Sequence, residues 1–175
     1  MASQEIAGNE EVLRNCRLRL LVVLGDGGHT AEMCRLLELI GPEFVYSYVV
    51  SSDDCLSAKR VPFLGPFFLI RRPRDKDDSV LAAFFKTISS LATAIRICLT
   101  VRPDAILGSG PSLMVPVALA SKLVRSRVIF VETGSRVTQL SRTGKIMLLL
   151  ADLFFVQWET LRERYPRAKF AGRLL

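Results

Sequence analysis

Residues 18–30, LRLLVVLGDGGHT, limit what this chain can fold into more than any other stretch. Residues 18–24 are almost continuously apolar, the pattern of a central strand buried on both faces. Gly25, Gly27 and Gly28 follow at once, and a helical pattern begins at about Thr30. A strand feeding a glycine turn and then a helix aims free backbone N–H groups, and the positive end of the helix dipole, at the space above the sheet. Such a turn is an anion site. It also carries the only histidine in the sequence, His29.

The rest of the chain continues the alternation. Met33, Leu36, Leu37 and Ile40 recur at helical spacing, and Gly41-Pro42 stops that helix. Residues 44–50 (FVYSYVV) read as an aromatic and β-branched strand, and Phe67–Ile70 as a shorter one after a loop. Ser79 is placed to cap a long helix with a broad apolar stripe at 3.6-residue period through Val80, Leu81, Phe84, Phe85, Ile88, Leu91, Ile95 and Leu99. Further strands are predicted at 105–107, 127–131, 153–157 and 169–175, with helices at 115–124, 144–150 and 159–165 between them. Strands alternating with helices predict an α/β fold with a Rossmann-like parallel sheet, whose ligands sit at the carboxyl ends of strands. The 175 residues suffice for one such domain, read as 17–175 behind a polar lead-in at 1–16.

Half of the residues are apolar and the mean hydropathy is +0.31, high for a chain with no obvious membrane span. Some apolar surface is therefore expected to face a partner or a lipid. Lys and Arg number 24 against 17 acids, a net charge of +7. A solvated basic surface is the commonest reason for such a balance; the sharper one is an anionic partner, a phosphorylated substrate or a membrane surface. Nucleic acid ranks last, because the aromatic residues form no stacking motif of the RNA-binding type. Cys16, Cys34, Cys55 and Cys98 are scattered, without CxxC spacing or neighbouring histidines. That suits reduced thiols in a cytosol-facing protein better than zinc. The opening residues are polar and acidic and lack a signal-peptide pattern. The longest apolar tract, 79–101, is broken by Lys86 and Arg96 and makes a poor transmembrane helix.

Three turns fall at the carboxyl ends of predicted strands: GDGGHT at 25–30, GSGP at 108–111 and ETGSR at 132–136. Parallel topology brings all three to one rim. The first is not the dinucleotide fingerprint, since Thr30 stands where GxGxxG needs its third glycine, and no Lys-Ser or Lys-Thr pair completes a Walker loop. An NAD enzyme or an ATPase is disfavoured. Two glycine turns on one rim, one of them bearing His29, point to a phosphate-binding cleft. His29 either bonds the backbone at a helix start or stands open among small neighbours. In the second case the helix dipole disfavours imidazolium, and a neutral ring can act as general base on a hydroxyl. Glu132, directly after a strand, can orient a ligand hydroxyl, orient a catalytic group, or cap the next segment. The basic run of Arg71, Arg72, Arg74 and Lys76, close to Phe84 and Phe85, gives the long helix a membrane-lying alternative to a core role.

The runs LVVLGDGGHTAEM, PDAILGSGPSLMVPVALA and VIFVETGSRVTQLSRTGKIMLLLADLFFVQWETLRERYP, with the closing AGRLL, resemble the asparagine-linked glycosylation protein 14 family from about Leu18 to Leu175. The strongest match is the run 144–158. The resemblance implies the acceptor-side half of a GT-B glycosyltransferase, similar to the N-terminal half of bacterial MurG. It implies a subunit, inactive alone, of the transferase that moves N-acetylglucosamine from UDP-N-acetylglucosamine to GlcNAc-diphosphodolichol on the cytosolic face of the endoplasmic reticulum membrane. The donor-binding half is then a smaller partner of the asparagine-linked glycosylation protein 13 type, docked on Arg173, Leu174 and Leu175. Neither metal nor other cofactor is expected.

Matched by motif, Gly27, Gly28 and His29 correspond to the GGxGGH turn of MurG, with His29 the proposed base and Glu132 a second catalytic candidate. Gly108, Ser109 and Gly110 correspond to the second glycine turn and, with Gly27, Gly28 and Thr30, are expected to hold the acceptor diphosphate. Arg71, Arg72, Arg74, Phe84 and Phe85 are the expected membrane contacts. Two departures stand out. The family usually begins with a hydrophobic anchor helix that is not seen here, so either the sequence is a fragment or recruitment falls to the 80–99 helix or a partner. Asp26 replaces a small residue, and its carboxylate repels a diphosphate unless it points away or pairs with an arginine. The competing readings are a subunit of a bacterial polyprenyl-linked polysaccharide transferase and a non-catalytic membrane recruiter.

Overall fold

The structure, a computed structural model, describes residues 17–25, 27–54, 57–71 and 80–174, and only the backbone at 58 and 80–86. Asp26, Arg72, Arg74, Lys76, the predicted cap Ser79 and Leu175 lie outside the described residues, as do the side chains of Phe84 and Phe85.

Seven strands form one sheet: β1 (Arg19–Val23), β2 (Val45–Ser51), β3 (Phe67–Ile70), β4 (Ala105–Ser109), β5 (Arg127–Val131), β6 (Leu153–Val156) and β7 (Lys169–Phe170). All pairs are parallel, in the order β3-β2-β1-β4-β5-β6-β7. The chain winds outward from β1 to β3, then crosses back to β4 and winds the other way. The reversal lies between β1 and β4, where Val23 stands opposite Gly108. In a doubly wound sheet this switch point opens a crevice at the carboxyl ends of the strands.

The helices are α1 (Gly28–Ile40), α2 (Val80–Val101), α3 (Met114–Ser121), α4 (Arg142–Leu150) and α5 (Glu159–Arg164). Alternation along β1 explains how they are layered. Leu21 and Val23 enter one core with Cys98 of α2, Met114 and Val117 of α3, and Met147 of α4. Leu20 and Val22 enter the other with Met33 and Leu37 of α1. Leu21, Val22 and Val23 are wholly buried, and each such side chain contributes roughly 1.5–3 kcal/mol relative to exposure. Beside α1 the second face is left as an apolar groove of about 880 Å³, whose lining includes Leu107, Ile129, Phe155 and Leu174. At the amino ends, the Arg19 N–H bonds Asp104 (2.7 Å) and, with the guanidinium, holds that carboxyl below its ordinary range.

Most boundaries shift by one or two residues from the sequence expectation, and three of the differences bear on the fold. Helix α1 starts at Gly28 rather than Thr30, because Gly27 takes the left-handed conformation (φ 56°) that turns the chain into it. Helix α3 ends at Ser121, with a tighter turn at Lys122–Val124. The predicted terminal strand pairs only at Lys169–Phe170, against Phe155 and Val156. Gly172 (φ 101°) then bends the tail out of the ladder. Among the described residues no helix is long and apolar enough to cross a membrane.

Candidate active site

His29 sits in the first turn of α1, half-buried, and its ring lies over Gly110 of the second turn. A side chain at 110 would meet Nδ1 at 2.5 Å and Nε2 at 2.9 Å. Gly25 and Pro111 close the other side: a Cβ at 25 would meet the His29 Cβ at 2.9 Å and the Pro111 Cγ at 3.1 Å. The imidazole therefore occupies a slot built by glycines from two turns at the switch point. Its Nδ1 is buried and has no hydrogen-bond partner among the described residues. Buried ring nitrogens are normally paired, so this atom is an exception, and the backbone-bonded alternative does not hold for it.

The glycines differ in purpose. Gly27 and Gly28 are exposed, a Cβ on either meets nothing within 4 Å, and no side chain caps the helix they open. These are the two positions where a ligand can approach backbone directly, at the positive end of α1. Gly108 is different: it is buried, and a Cβ there would meet the Met114 Sδ at 2.5 Å, so it admits a core side chain. The Thr30 hydroxyl is also turned inward, donating to the Gly25 carbonyl and sharing a 2.7 Å hydrogen bond with Ser57. Thr30 and Gly108 thus brace the turns rather than face the cleft. Ser109 does the same, as its hydroxyl donates to Glu32 (3.4 Å).

Glu32 is the residue that sequence reasoning missed. It is buried one turn along α1 from His29, and its carboxylate collects four hydrogen bonds from three segments. Oε1 accepts from the Thr133 hydroxyl and the Gly134 N–H, both at 3.0 Å. Oε2 accepts from Ser109 and from Gln157 Nε2, both at 3.4 Å. One acid on the helix of the first turn therefore holds the second and third turns. Gln157 is buried in its turn; it also donates to the Glu132 carbonyl (3.1 Å) and accepts from the Leu174 N–H (2.8 Å). Next to it, Trp158 Nε1 donates to the Gly134 carbonyl (2.7 Å), and the Arg173 guanidinium lies 3.6 Å from the Trp158 ring centroid. A polar residue beside an apolar helical stripe, and a glutamine ending the strand LFFVQ, were the available signals.

Glu132 needs correction as a catalytic candidate. It is wholly buried, and both its oxygens are spent on the chain. Oε1 accepts from the Thr133 N–H, and Oε2 from the N–H (3.0 Å) and hydroxyl (3.1 Å) of Ser141, which itself caps α4 through the Gly144 N–H (2.8 Å). Of the three roles open to it in the sequence, capping the next segment is the one its geometry performs. Burial pushes its carboxyl up from the ordinary value, against the bonds from Ser141 and Thr133 and the charge of Arg136. The folded chain then holds this proton to higher pH than the unfolded chain, so stability falls as pH rises above the ordinary glutamate range. A glutamine does not titrate, but its NH₂ must face the backbone N–H of either Thr133 or Ser141, so it loses one of these bonds at every pH. Glu132→Gln is therefore expected to melt below wild type at low pH, and the gap to narrow as pH rises, by no more than about 1.4 kcal/mol per pH unit. Curves that stay parallel from acid to neutral pH would rule this out.

A doubly wound parallel sheet with glycine turns at its switch point defines the class: a Rossmann-like domain of the GT-B type. Solved structures share that fold. Over 80% of this chain, MurG of Acinetobacter baumannii superposes with a TM-score of 0.59 at 18% identity. Over 90%, UDP-GlcNAc 2-epimerase of Neisseria meningitidis, bound to UDP-GlcNAc, superposes at 0.66 and 13%. This chain spans only 41% and 47% of those two proteins, less than half of each. The family described as "Oligosaccharide biosynthesis protein Alg14 like" matches residues 20–174, and the chain belongs to it. Relatives named UDP-N-acetylglucosamine transferase subunit ALG14 include the rat protein, 34% identical over 90% of this chain and 83% of its own length. The Schizosaccharomyces pombe protein is also 34% identical, over 87% of this chain and 81% of its own.

Proposed function

We propose that the chain is the acceptor-side subunit of a two-part UDP-N-acetylglucosamine transferase, with His29 as general base. The observation that carries this reading is the His29 ring, seated over Gly110 at the switch point with a buried, unpartnered Nδ1. The acceptor is GlcNAc-diphosphodolichol. Its diphosphate lies against the open backbone of Gly27 and Gly28, where the dipole of α1 stabilises negative charge. As the acceptor hydroxyl attacks C1 of the donor sugar, its proton passes to His29, the new glycosidic bond forms, and the old C1–O bond breaks with UDP taking the electron pair.

The donor arrives on a partner of the asparagine-linked glycosylation protein 13 type. The exposed Arg173 and the half-buried Leu174 support docking at the tail, since they continue onto the apolar groove as an obligate interface requires. Work at the cytosolic face of the endoplasmic reticulum membrane is supported by exposed Arg71 and Ile88. The Ser90 hydroxyl of α2 donates to the Arg71 carbonyl (2.7 Å), holding this basic and apolar corner beside the carboxyl rim.

Reconstitution with the partner tests the reading. His29→Ala is expected to lower turnover by about 10²–10⁴-fold, the usual worth of a general base, while co-purification with the partner is unchanged. Near-normal turnover would leave the chain a non-catalytic recruiter.

A further inference from the structure

We propose that Glu32 and Gln157 are positioning residues that tie the C-terminal tail to the second and third turns, so that partner docking on the tail and acceptor binding at the rim reinforce each other. This rests on the reading of the rim as the acceptor site and of the tail as the docking element.

Two physical links join the tail to the rim. In one, the Leu174 N–H bonds Gln157 Oε1, Gln157 Nε2 bonds Glu32 Oε2, and Glu32 holds Ser109, Thr133 and Gly134. In the other, Arg173 stacks on Trp158, whose indole N–H bonds the Gly134 carbonyl. Both links end on Gly134. The third turn is therefore held from below by α1 and from the side by the tail. A tail left loose removes one of these constraints, and a tail pinned by the partner restores it.

Hydrogen-bond polarity makes the first link specific. The Gly134 N–H and the Leu174 N–H are fixed donors, and the Glu132 carbonyl is a fixed acceptor, so the Gln157 amide has one allowed orientation. In Glu32→Gln the new amide oxygen must face Gly134, which sets its NH₂ against the NH₂ of Gln157. Turning Gln157 over instead sets its NH₂ against the Leu174 N–H and its oxygen against the Glu132 carbonyl. Either way the tail is disconnected, with almost no change in side-chain volume. Gln157→Met breaks the same link from the other end.

Coupling between two sites is reciprocal: if partner binding favours acceptor binding, acceptor must tighten partner binding by the same factor. The affinity of the full chain for its donor-binding partner is measured with and without GlcNAc-diphosphate on a short prenyl chain, binding of that acceptor being followed in the same titration. In wild type the acceptor is expected to tighten the partner by about fivefold or more. In Glu32→Gln and in Gln157→Met the factor is expected to fall close to one, with acceptor KM raised more than kcat is lowered. Uniform destabilisation would change both affinities without changing their ratio. Acceptor that binds wild type without affecting partner affinity overturns the tie, as does equal coupling in wild type and Gln157→Met. Failure of the acceptor to bind the wild-type complex at all overturns the reading of the rim as well, and is told apart by that missing signal.

Discussion

Gly110→Ala is expected to cost the reconstituted transferase about a hundredfold in turnover while the chain still folds and still binds its partner. The methyl group has one place to go. At φ 70° it projects onto the His29 ring, overlapping Cε1 and meeting Nδ1 at 2.5 Å. Retreat on the other side is limited by Gly25, whose backbone lies so near the His29 Cβ that even a methyl group there would stand 2.9 Å from it. It must swing outward, and a base displaced by about 1 Å loses the alignment that makes its proton transfer fast. The left-handed backbone adds a cost of roughly 1–2 kcal/mol for alanine, so some loss of thermal stability is expected regardless of chemistry. Gly41→Ala separates the two effects. Gly41 also has positive φ (84°), yet a Cβ there meets nothing within 4 Å, at the far end of α1. It should melt earlier than wild type and keep its turnover. If Gly110→Ala turns over as Gly41→Ala does, the ring takes no part in the reaction.

The sheet was readable because each strand is marked by its own local signal, an apolar run ended by glycine or a charged turn. The rim followed from topology: parallel strands put the turns after β1, β4 and β5 on one side, and contact between His29 and Gly110 bears that out. Side-chain direction within the turns was not readable. Gly27, Gly108 and Gly110 look alike in sequence, yet one opens to solvent, one admits Met114 and one seats an imidazole. The tail shows the same limit. Residues 169–175 have strand-like composition, but Gly172 and the pull of Gln157 and Trp158 take Arg173 and Leu174 off the edge of the sheet. Glu32 was hidden because its partners lie 77 to 125 residues away. No local pattern records such a separation.

Glu132 shows how a distant glycine can decide an acid's role, and it makes the second large prediction. Gly144 lies in the first turn of α4, where alanine ordinarily stabilises a helix by about 1 kcal/mol. Here the sign should reverse. A Cβ at 144 overlaps Glu132 Oε2 and stands 3.0 Å from the Ser141 Oγ. Glu132 is wholly buried, so its carboxylate has no solvent to escape into. Moving it breaks the bonds from the Ser141 N–H and hydroxyl that anchor the cap of α4. Overpacking costs about 1–3 kcal/mol. A buried carboxylate stripped of donors adds about 1–3 kcal/mol or more, well above the helix gain. Gly144→Ala is therefore expected to destabilise the chain by about 1–5 kcal/mol, read as a lowered denaturation midpoint. A double-mutant cycle supplies the decisive measurement. Once Glu132→Ala has removed the carboxylate, alanine at 144 meets only the Ser141 Oγ at 3.0 Å, and most of its cost should vanish. The two substitutions should then be coupled by more than about 1 kcal/mol. Additive costs would mean that Gly144 is not there to admit Glu132.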